Sequence, residues 1–109
     1  MKGALFPKPL VVGLPPDAEF VELRPESLTF QTRQCLLPGT LVRFRLVMEG
    51  QPLSLQAPVG ACLVMDKDRA GFVYHARLAL ERLPEPDRHL IALFIGKGRG
   101  RPRLERPPH

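Results

Sequence analysis

Apolar and polar residues alternate with a period of two through most of the middle of the chain. The runs 28–33, 41–48 and 72–78 each place apolar residues at every second position. Arg43 and Arg45 mark the opposite, solvent-facing side of the second run. Because successive side chains of a strand point to opposite faces, this pattern predicts half-buried β-strands.

Turn signals separate these periodic runs. Pro38-Gly39 predicts a turn, and the polar sequence 66–71 predicts a hairpin loop. Between them, the alternating run 53–56 and the apolar run 59–65 predict two strand segments. Pro58 interrupts this region and predicts an edge or a bulge there, because proline cannot donate a backbone hydrogen bond.

The period changes after the sequence Pro84-Glu85-Pro86-Asp87, which places prolines and acids where the first turn of a helix accepts them. Leu90 and Phe94 are four residues apart and predict the buried helix face. Gly96 is predicted to end this helix after about ten residues. The whole pattern predicts an all-β fold, a small antiparallel β-barrel of about six strands with one C-terminal helix.

Proline and charge divide the 109 residues into three parts. Residues 1–17 form an extended Pro-rich arm in which 10–12 is expected to dock as a short strand. Residues 18–95 form the barrel and helix, and residues 96–109 form a flexible basic tail rich in Gly, Arg and Pro. The tail contributes +4 of the net charge of +5, so the body is nearly neutral.

Composition excludes several classes of protein. No apolar run is long enough for a membrane span, and proline and lysine interrupt residues 1–8, so we expect a cytoplasmic protein without membrane insertion. Cys35, Cys62, His75 and His89 lack the spacing of a zinc site, and small buried cysteines are the usual case, so no metal is expected. No catalytic constellation is present, and we expect neither an enzyme nor a bound cofactor.

The order of these features resembles a PilZ domain over residues 21–95. The run from Leu37 to Leu46, the paired strands around Asp66–Gly71 and the closing run from Leu80 to Ile95 carry the resemblance. That family of bacterial regulators binds cyclic di-GMP and passes the signal to a partner. Its ligand motifs are an Arg-x-x-x-Arg pair before the barrel and an Asp/Asn-x-Ser-x-x-Gly run at an early strand.

This sequence departs from both ligand motifs. Glu22 occupies the Asp/Asn position, Arg24 the Ser position and Ser27 the Gly position, and Arg24 is the first arginine of the chain. We therefore expect cyclic di-GMP binding to be weak or absent. The resemblance then implies a non-catalytic regulator or adaptor that acts through protein partners. Homodimerisation through the helix would use Ile91 and Ile95 if these residues are exposed.

Two alternatives remain open. In one, Arg24, Arg33 and the tail arginines replace the missing motif, and the protein is a cyclic di-GMP receptor. In the other, the tail binds DNA, because Arg99-Gly100-Arg101-Pro102 resembles the AT-hook core of the high-mobility-group A proteins. Such a segment lies in a narrow minor groove and inserts its arginines there. The candidate nucleic-acid-binding residues are Lys97, Arg99, Gly100, Arg101, Pro102 and Arg103.

Overall fold

The computed structural model describes residues 9–98 and 100–107. Seven strands and one helix occupy this part of the chain. In order, they are β1 (Val11–Gly13), β2 (Glu19–Arg24), β3 (Ser27–Thr32), β4 (Leu41–Met48), β5 (Gln51–Asp68), β6 (Gly71–Ala79), α1 (Glu85–Lys97) and β7 (Arg103–Glu105). The prediction of a mostly β protein with one C-terminal helix is confirmed.

The strands form a single sheet in the order β1-β4-β5-β6-β3-β2, and β7 also pairs with β4. β1 runs parallel to β4, while the other ladders are antiparallel. The prediction of a purely antiparallel sheet is therefore wrong, because the chain passes through the β2–β3 hairpin before it returns beside β1. Within the described residues no ladder joins β2 to the opposite end of the sheet, so the sheet is open, and the predicted closed barrel of about six strands is not shown.

β5 is one continuous strand of 18 residues and not two segments. Its first part, up to Pro58, pairs with β4, and from Val59 onward it pairs with β6. The register shifts between Val59 and Ala61, so a bulge lies at the change of partner. This shift confirms the prediction of a bulge near Pro58. A bulge bends its strand and interrupts the ladder.

The core lies between the inward faces of β3, β4, β5 and β6 and one face of α1. The alternation predicted for β4 is confirmed at Phe44, which is completely buried, and at Arg43, which is exposed, although Arg45 is half-buried. Phe30 of β3 is also completely buried, but the adjacent Thr29 is buried too, so the prediction that β3 exposes one face is wrong. Burying each such large apolar side chain contributes about 1.5–3 kcal/mol to folding. The other completely buried large apolar residues are Leu28, Leu46, Leu78, Leu80, Ile91 and Val42.

The helix is rotated and longer than predicted. Ile91 and Phe94 are its buried residues, whereas Leu90 is 49% exposed. Gly96 lies inside the helix, which ends at Gly98 in the left-handed conformation (φ 62°). Only glycine adopts this conformation without a steric cost, so the second glycine and not the first is the stop signal.

This rotation changes the surface available for a homodimer. Ile91 is completely buried and Ile95 is half-buried, so the predicted contacts do not form an exposed pair. Leu90 and Leu93 are the exposed apolar residues of α1. No helix in the described part of the chain has the length and apolarity needed to cross a membrane.

The described part of the tail contains a strand. β7 pairs with β4 so that Leu104 lies opposite Leu46 and is half-buried against the core. Arg45 and Glu105 also lie opposite each other, and their side chains form an ion pair of 2.9 Å. Residues 103–105 therefore belong to the folded sheet.

Candidate functional site

Glu22, Arg24 and Ser27, the three motif positions, lie together in one groove. The groove has a volume of about 410 Å³ and is bordered by β2, β3, β6 and the bulge of β5. It occupies the sheet face opposite the core. Its charged lining residues are Glu22, Arg24, Glu26, Arg77 and Glu81.

The β2–β3 hairpin brings the motif positions together. Its ladder places Arg24 opposite Ser27 and Glu22 opposite Thr29, with a tight connection at Pro25-Glu26. Directly opposed residues of an antiparallel pair share a face, and residues two apart on a strand share it too. Glu22, Arg24 and Ser27 are therefore close together in space as well as in sequence.

The groove also contains residues that the sequence pattern did not indicate. Arg77 of β6 lies opposite both Thr29 of β3 and Ala61 of β5. Glu81 follows β6 and reaches the same rim. These positions are at least 50 residues from the motif in sequence. Only the pairing of β3 with β6 brings them there, and local periodicity carries no signal for such a register.

Arg24 is already paired inside the groove. Its Nε lies 3.0 Å from Glu22 Oε1 and its Nη2 lies 3.2 Å from Glu22 Oε2. The hydrogen bond and the charge of Glu22 raise the pKa of Arg24. A two-pronged contact of this kind uses the same face of the guanidinium that would bind a phosphate or a guanine edge.

The balance of charge in the groove is negative. Three carboxylates, those of Glu22, Glu26 and Glu81, face two guanidinium groups, those of Arg24 and Arg77. All five side chains belong to exposed residues, so the groove is open to solvent. Such an open, mixed-charge surface suits polar contacts with another macromolecule better than it suits chemistry on an enclosed substrate.

The structure does not bring the other proposed nucleotide contact to this groove. Arg33 lies after β3, and its guanidinium binds Asp68 at the tip of the β5–β6 hairpin with distances of 2.6 and 2.8 Å. This contact lowers the pKa of Asp68 to about 2. Arg24 and Arg33 therefore have separate carboxylate partners, Glu22 and Asp68.

The candidate nucleic-acid-binding residues are distributed along the end of α1 and the edge of β4. Lys97 is the last residue of the helix, and its Nζ lies 3.9 Å from Glu49. The Arg101 guanidinium carbon lies 5.7 Å from the centre of the Phe20 ring. Arg103 binds Glu105 at 2.7 Å within β7.

The remaining tail residues join these contacts to the sheet. Gly100 has a positive φ of 66°, which turns the chain from α1 toward β7, and Pro102 is half-buried. Arg99 lies outside the described residues. Because β7 is hydrogen-bonded to β4, residues 103–105 would have to leave the sheet before Arg103 could lie in a DNA groove.

The cysteines and histidines do not assemble into a cluster. Cys35 is exposed and Cys62 is half-buried, so the expectation of buried cysteines is wrong for Cys35. His75 is half-buried and His89 is exposed. Across residues 9–98 and 100–107, no three His, Cys, Asp or Glu side chains come close enough together to hold a metal ion.

An apolar surface on the β5–β6 hairpin is the other feature that sequence reasoning missed. Leu63, Val64, Met65 and Phe72 are between 45% and 57% exposed. Of these residues, Phe72 belongs to the alternating run 72–78, whose pattern predicted a buried apolar face, and Leu63–Met65 belong to the apolar run 59–65. All four are exposed because this end of β5 extends past its ladder with β4, which ends at Pro58.

The fold and the groove define the molecule as a mostly β protein with one open mixed sheet and one helix. Comparisons with protein-family models, with curated proteins and with solved structures find no match.

Proposed function

We propose that this protein is a non-catalytic, PilZ-like regulatory adaptor that has a degenerate nucleotide site and acts through protein partners. The resemblance of Leu37–Leu46 and Leu80–Ile95 to that family supports the assignment. The order of a strand-rich body followed by one C-terminal helix is consistent with it. In this proposal the open sheet corresponds to the barrel of the family, and the protein works in the cytoplasm.

The occupied arginine of the groove is the observation that carries the proposal. Arg24 is the one arginine near the motif positions in sequence, and Glu22 already binds it at 3.0 Å. A dianionic cyclic dinucleotide would have to displace that carboxylate and approach Glu26 and Glu81. A like-charge pair near a protein surface costs about 1–4 kcal/mol at close range. The groove therefore disfavours the family ligand.

The exposed apolar hairpin supports a protein partner. Leu63, Val64 and Met65 are consecutive on β5, and Phe72 of β6 lies opposite Lys67 in the same hairpin. Within the described residues, the loop before β4 bonds the Val59 N–H and C=O groups, and beyond Val59 β5 has a strand partner on one side only. An open strand edge with apolar side chains is a surface to which another chain can add a strand.

Amide NMR of the full chain, titrated with cyclic di-GMP at moderate salt, tests the nucleotide part of the proposal. We expect no saturable shift in the wild type. A Glu22→Gln/Glu81→Gln variant removes two negative charges and frees Arg24, so we expect it to gain weak binding. The same variant carrying Arg24→Ala is the matched control and should lose that gain. Saturable shifts at Arg24 and Ser27 in the wild type would instead establish a working nucleotide receptor.

Affinity capture from the cells that make the protein tests the adaptor part. We expect a specific protein to be retained by the wild type and lost by Leu63→Ser/Phe72→Ser. Leu37→Ser is the matched control, because Leu37 is also an exposed leucine but lies outside the hairpin. Circular dichroism verifies that all three proteins are folded. Retention by the hairpin variant, equal loss with Leu37→Ser, or no captured protein would each refute the adaptor.

A further inference from the structure

The loop between β3 and β4, residues 33–40, is held against the second half of β5. At its start, Arg33 binds Asp68. At its end, the Gly39 amide donates a hydrogen bond of 2.8 Å to the Val59 carbonyl. Between these two points, the Leu36 amide donates to Cys62 Sγ at 3.4 Å.

This last contact places the two cysteines side by side. Cys35 directly precedes Leu36, and two covalent bonds separate the Leu36 nitrogen from the Cys35 Cα. The Cys62 sulfur therefore lies within about 6 Å of that Cα. The Cys62 sulfur is two bonds, about 3 Å, from its own Cα, so the two Cα atoms lie within about 9 Å of each other. A disulfide needs Cα atoms about 4.4–6.8 Å apart, so a movement of at most about 2 Å by the exposed loop residue Cys35 brings the pair into range.

We propose that Cys35 and Cys62 form a reversible intramolecular disulfide in response to a low-molecular-weight disulfide such as oxidised glutathione. The Cys35 thiolate attacks one sulfur of glutathione disulfide, and one glutathione thiolate leaves. Cys62 then loses its proton and attacks the Cys35 sulfur, and the second glutathione thiolate leaves. Both protein thiols are oxidised, and each glutathione disulfide yields two thiols.

The two cysteines are suited to different steps. Cys35 is exposed, so it is accessible to a bulky oxidant, whereas Cys62 is half-buried beneath Leu36. Burial raises the pKa of the Cys62 thiol, the Leu36 amide lowers it in part, and the neighbouring Cys35 raises it further. The Cys62 thiol therefore reacts more slowly than Cys35 with a disulfide in solution. The sulfur that it can reach is that of the adjacent Cys35, once Cys35 carries glutathione.

The bond would fasten the 33–40 loop to β5 immediately before the apolar residues Leu63–Met65. It does not involve the charged groove. The proposed disulfide and the proposed adaptor function rest on different residues. An experiment can therefore refute one proposal without refuting the other.

The test is incubation of the full chain with excess oxidised glutathione, followed by intact mass spectrometry and tryptic mapping without reduction. We expect the monomer to lose the mass of two hydrogen atoms. The map should contain peptide 34–43 joined to peptide 46–67. Reduction with dithiothreitol should restore the original mass, and the oxidised protein should melt at a higher temperature than the reduced one.

Single-cysteine variants separate the two roles. Cys62→Ser should accumulate one glutathione on Cys35, and Cys35→Ser should react at least tenfold more slowly. Two other outcomes would overturn the proposal. One is a wild type that ends as a stable glutathione adduct or as a linked dimer. The other is a wild type that keeps both thiols while Cys62→Ser is modified.

Discussion

The rotation of α1 predicts opposite consequences for two adjacent side chains. Ile91 is completely buried, while Leu90 is 49% exposed. Truncating each residue to alanine changes the same helix at neighbouring positions, so differences in helix propensity are small. The pair therefore measures which face of the helix packs on the sheet.

The expected cost of Ile91→Ala follows from the burial of that side chain. Removing its buried carbon groups forfeits about 2.4 kcal/mol at about 0.8 kcal/mol for each group. An unfilled cavity of roughly 40 Å³ adds about 1 kcal/mol. The higher helix propensity of alanine offsets about 0.4 kcal/mol. The net loss of unfolding free energy is about 3 kcal/mol, which lowers Tm by roughly 10–20 °C in a domain of this size.

Leu90→Ala is expected to change the unfolding free energy by about 0.5 kcal/mol or less, as is usual for exposed positions. The assay is urea unfolding followed by far-UV circular dichroism, because the chain has no tryptophan. An unchanged slope with urea in both variants shows that the native and unfolded states stay comparable. Equal losses for the two variants, or a larger loss for Leu90→Ala, would refute the packing of α1 through Ile91.

Three further predictions concern the helix end, the hairpin tip and the tail. Gly98→Ala should destabilise the protein by about 1 kcal/mol because φ is +62°, whereas Gly96→Ala inside the helix should stabilise it by about 0.5–1 kcal/mol, both measured by urea unfolding. The carbon NMR signal of the Asp68 carboxyl should titrate near pH 2, and Arg33→Ala should return its pKa to the ordinary range. Fluorescence anisotropy should show equal, strongly salt-dependent binding of A·T-rich and G·C-rich duplexes, with little change in Arg101→Ala.

The pH dependence of the hairpin contact has a definite sign. The hydrogen bond from Arg33 depresses the pKa of Asp68 in the folded state. Such a carboxylate adds stability above its unfolded pKa and loses that contribution as pH falls toward the folded value. The Arg33–Asp68 contribution should therefore disappear between about pH 4 and pH 2. A contribution that survives below pH 2 would contradict this ion pair.

The predictions for the helix end and for the tail can each be contradicted by one result. Stabilisation by Gly98→Ala would mean that the helix does not end there. A preference for A·T-rich DNA that Arg101→Ala abolishes would show that the tail leaves β4 and enters the minor groove. That result would favour the DNA-binding alternative over the adaptor.

Local pattern was sufficient to locate two of the central strands. The alternation around Phe30 and Phe44 predicted β3 and β4. In β4 one side faces the core and Arg43 on the other side faces solvent, whereas both faces of β3 are buried although its sequence alternates. The helix was predicted in the right place but with the wrong rotation. Its apolar residues Leu90, Ile91, Leu93, Phe94 and Ile95 cover more than one face, so spacing alone could not select the buried one.

Non-local pairing explains the other differences. The parallel addition of β1 and the docking of β7 both depend on the edge of β4, which is remote from each of them in sequence. The groove also combines residues brought together by local pairing with residues brought together by non-local pairing. Glu22, Arg24 and Ser27 could be predicted to lie together because a hairpin joins them, whereas Arg77 enters only through the β3–β6 register. The pairing of Arg24 with Glu22 also required the rotamers of both side chains.

β5 has a consequence for how the chain folds. Its first part pairs with β4 and its second part pairs with β6, so one strand joins the two halves of the sheet. The bulge at Gly60 offers no break at which the two halves could separate. We therefore expect one cooperative transition with no half-folded intermediate, and the amide hydrogens of β5 on both sides of the bulge should exchange with solvent only through global unfolding.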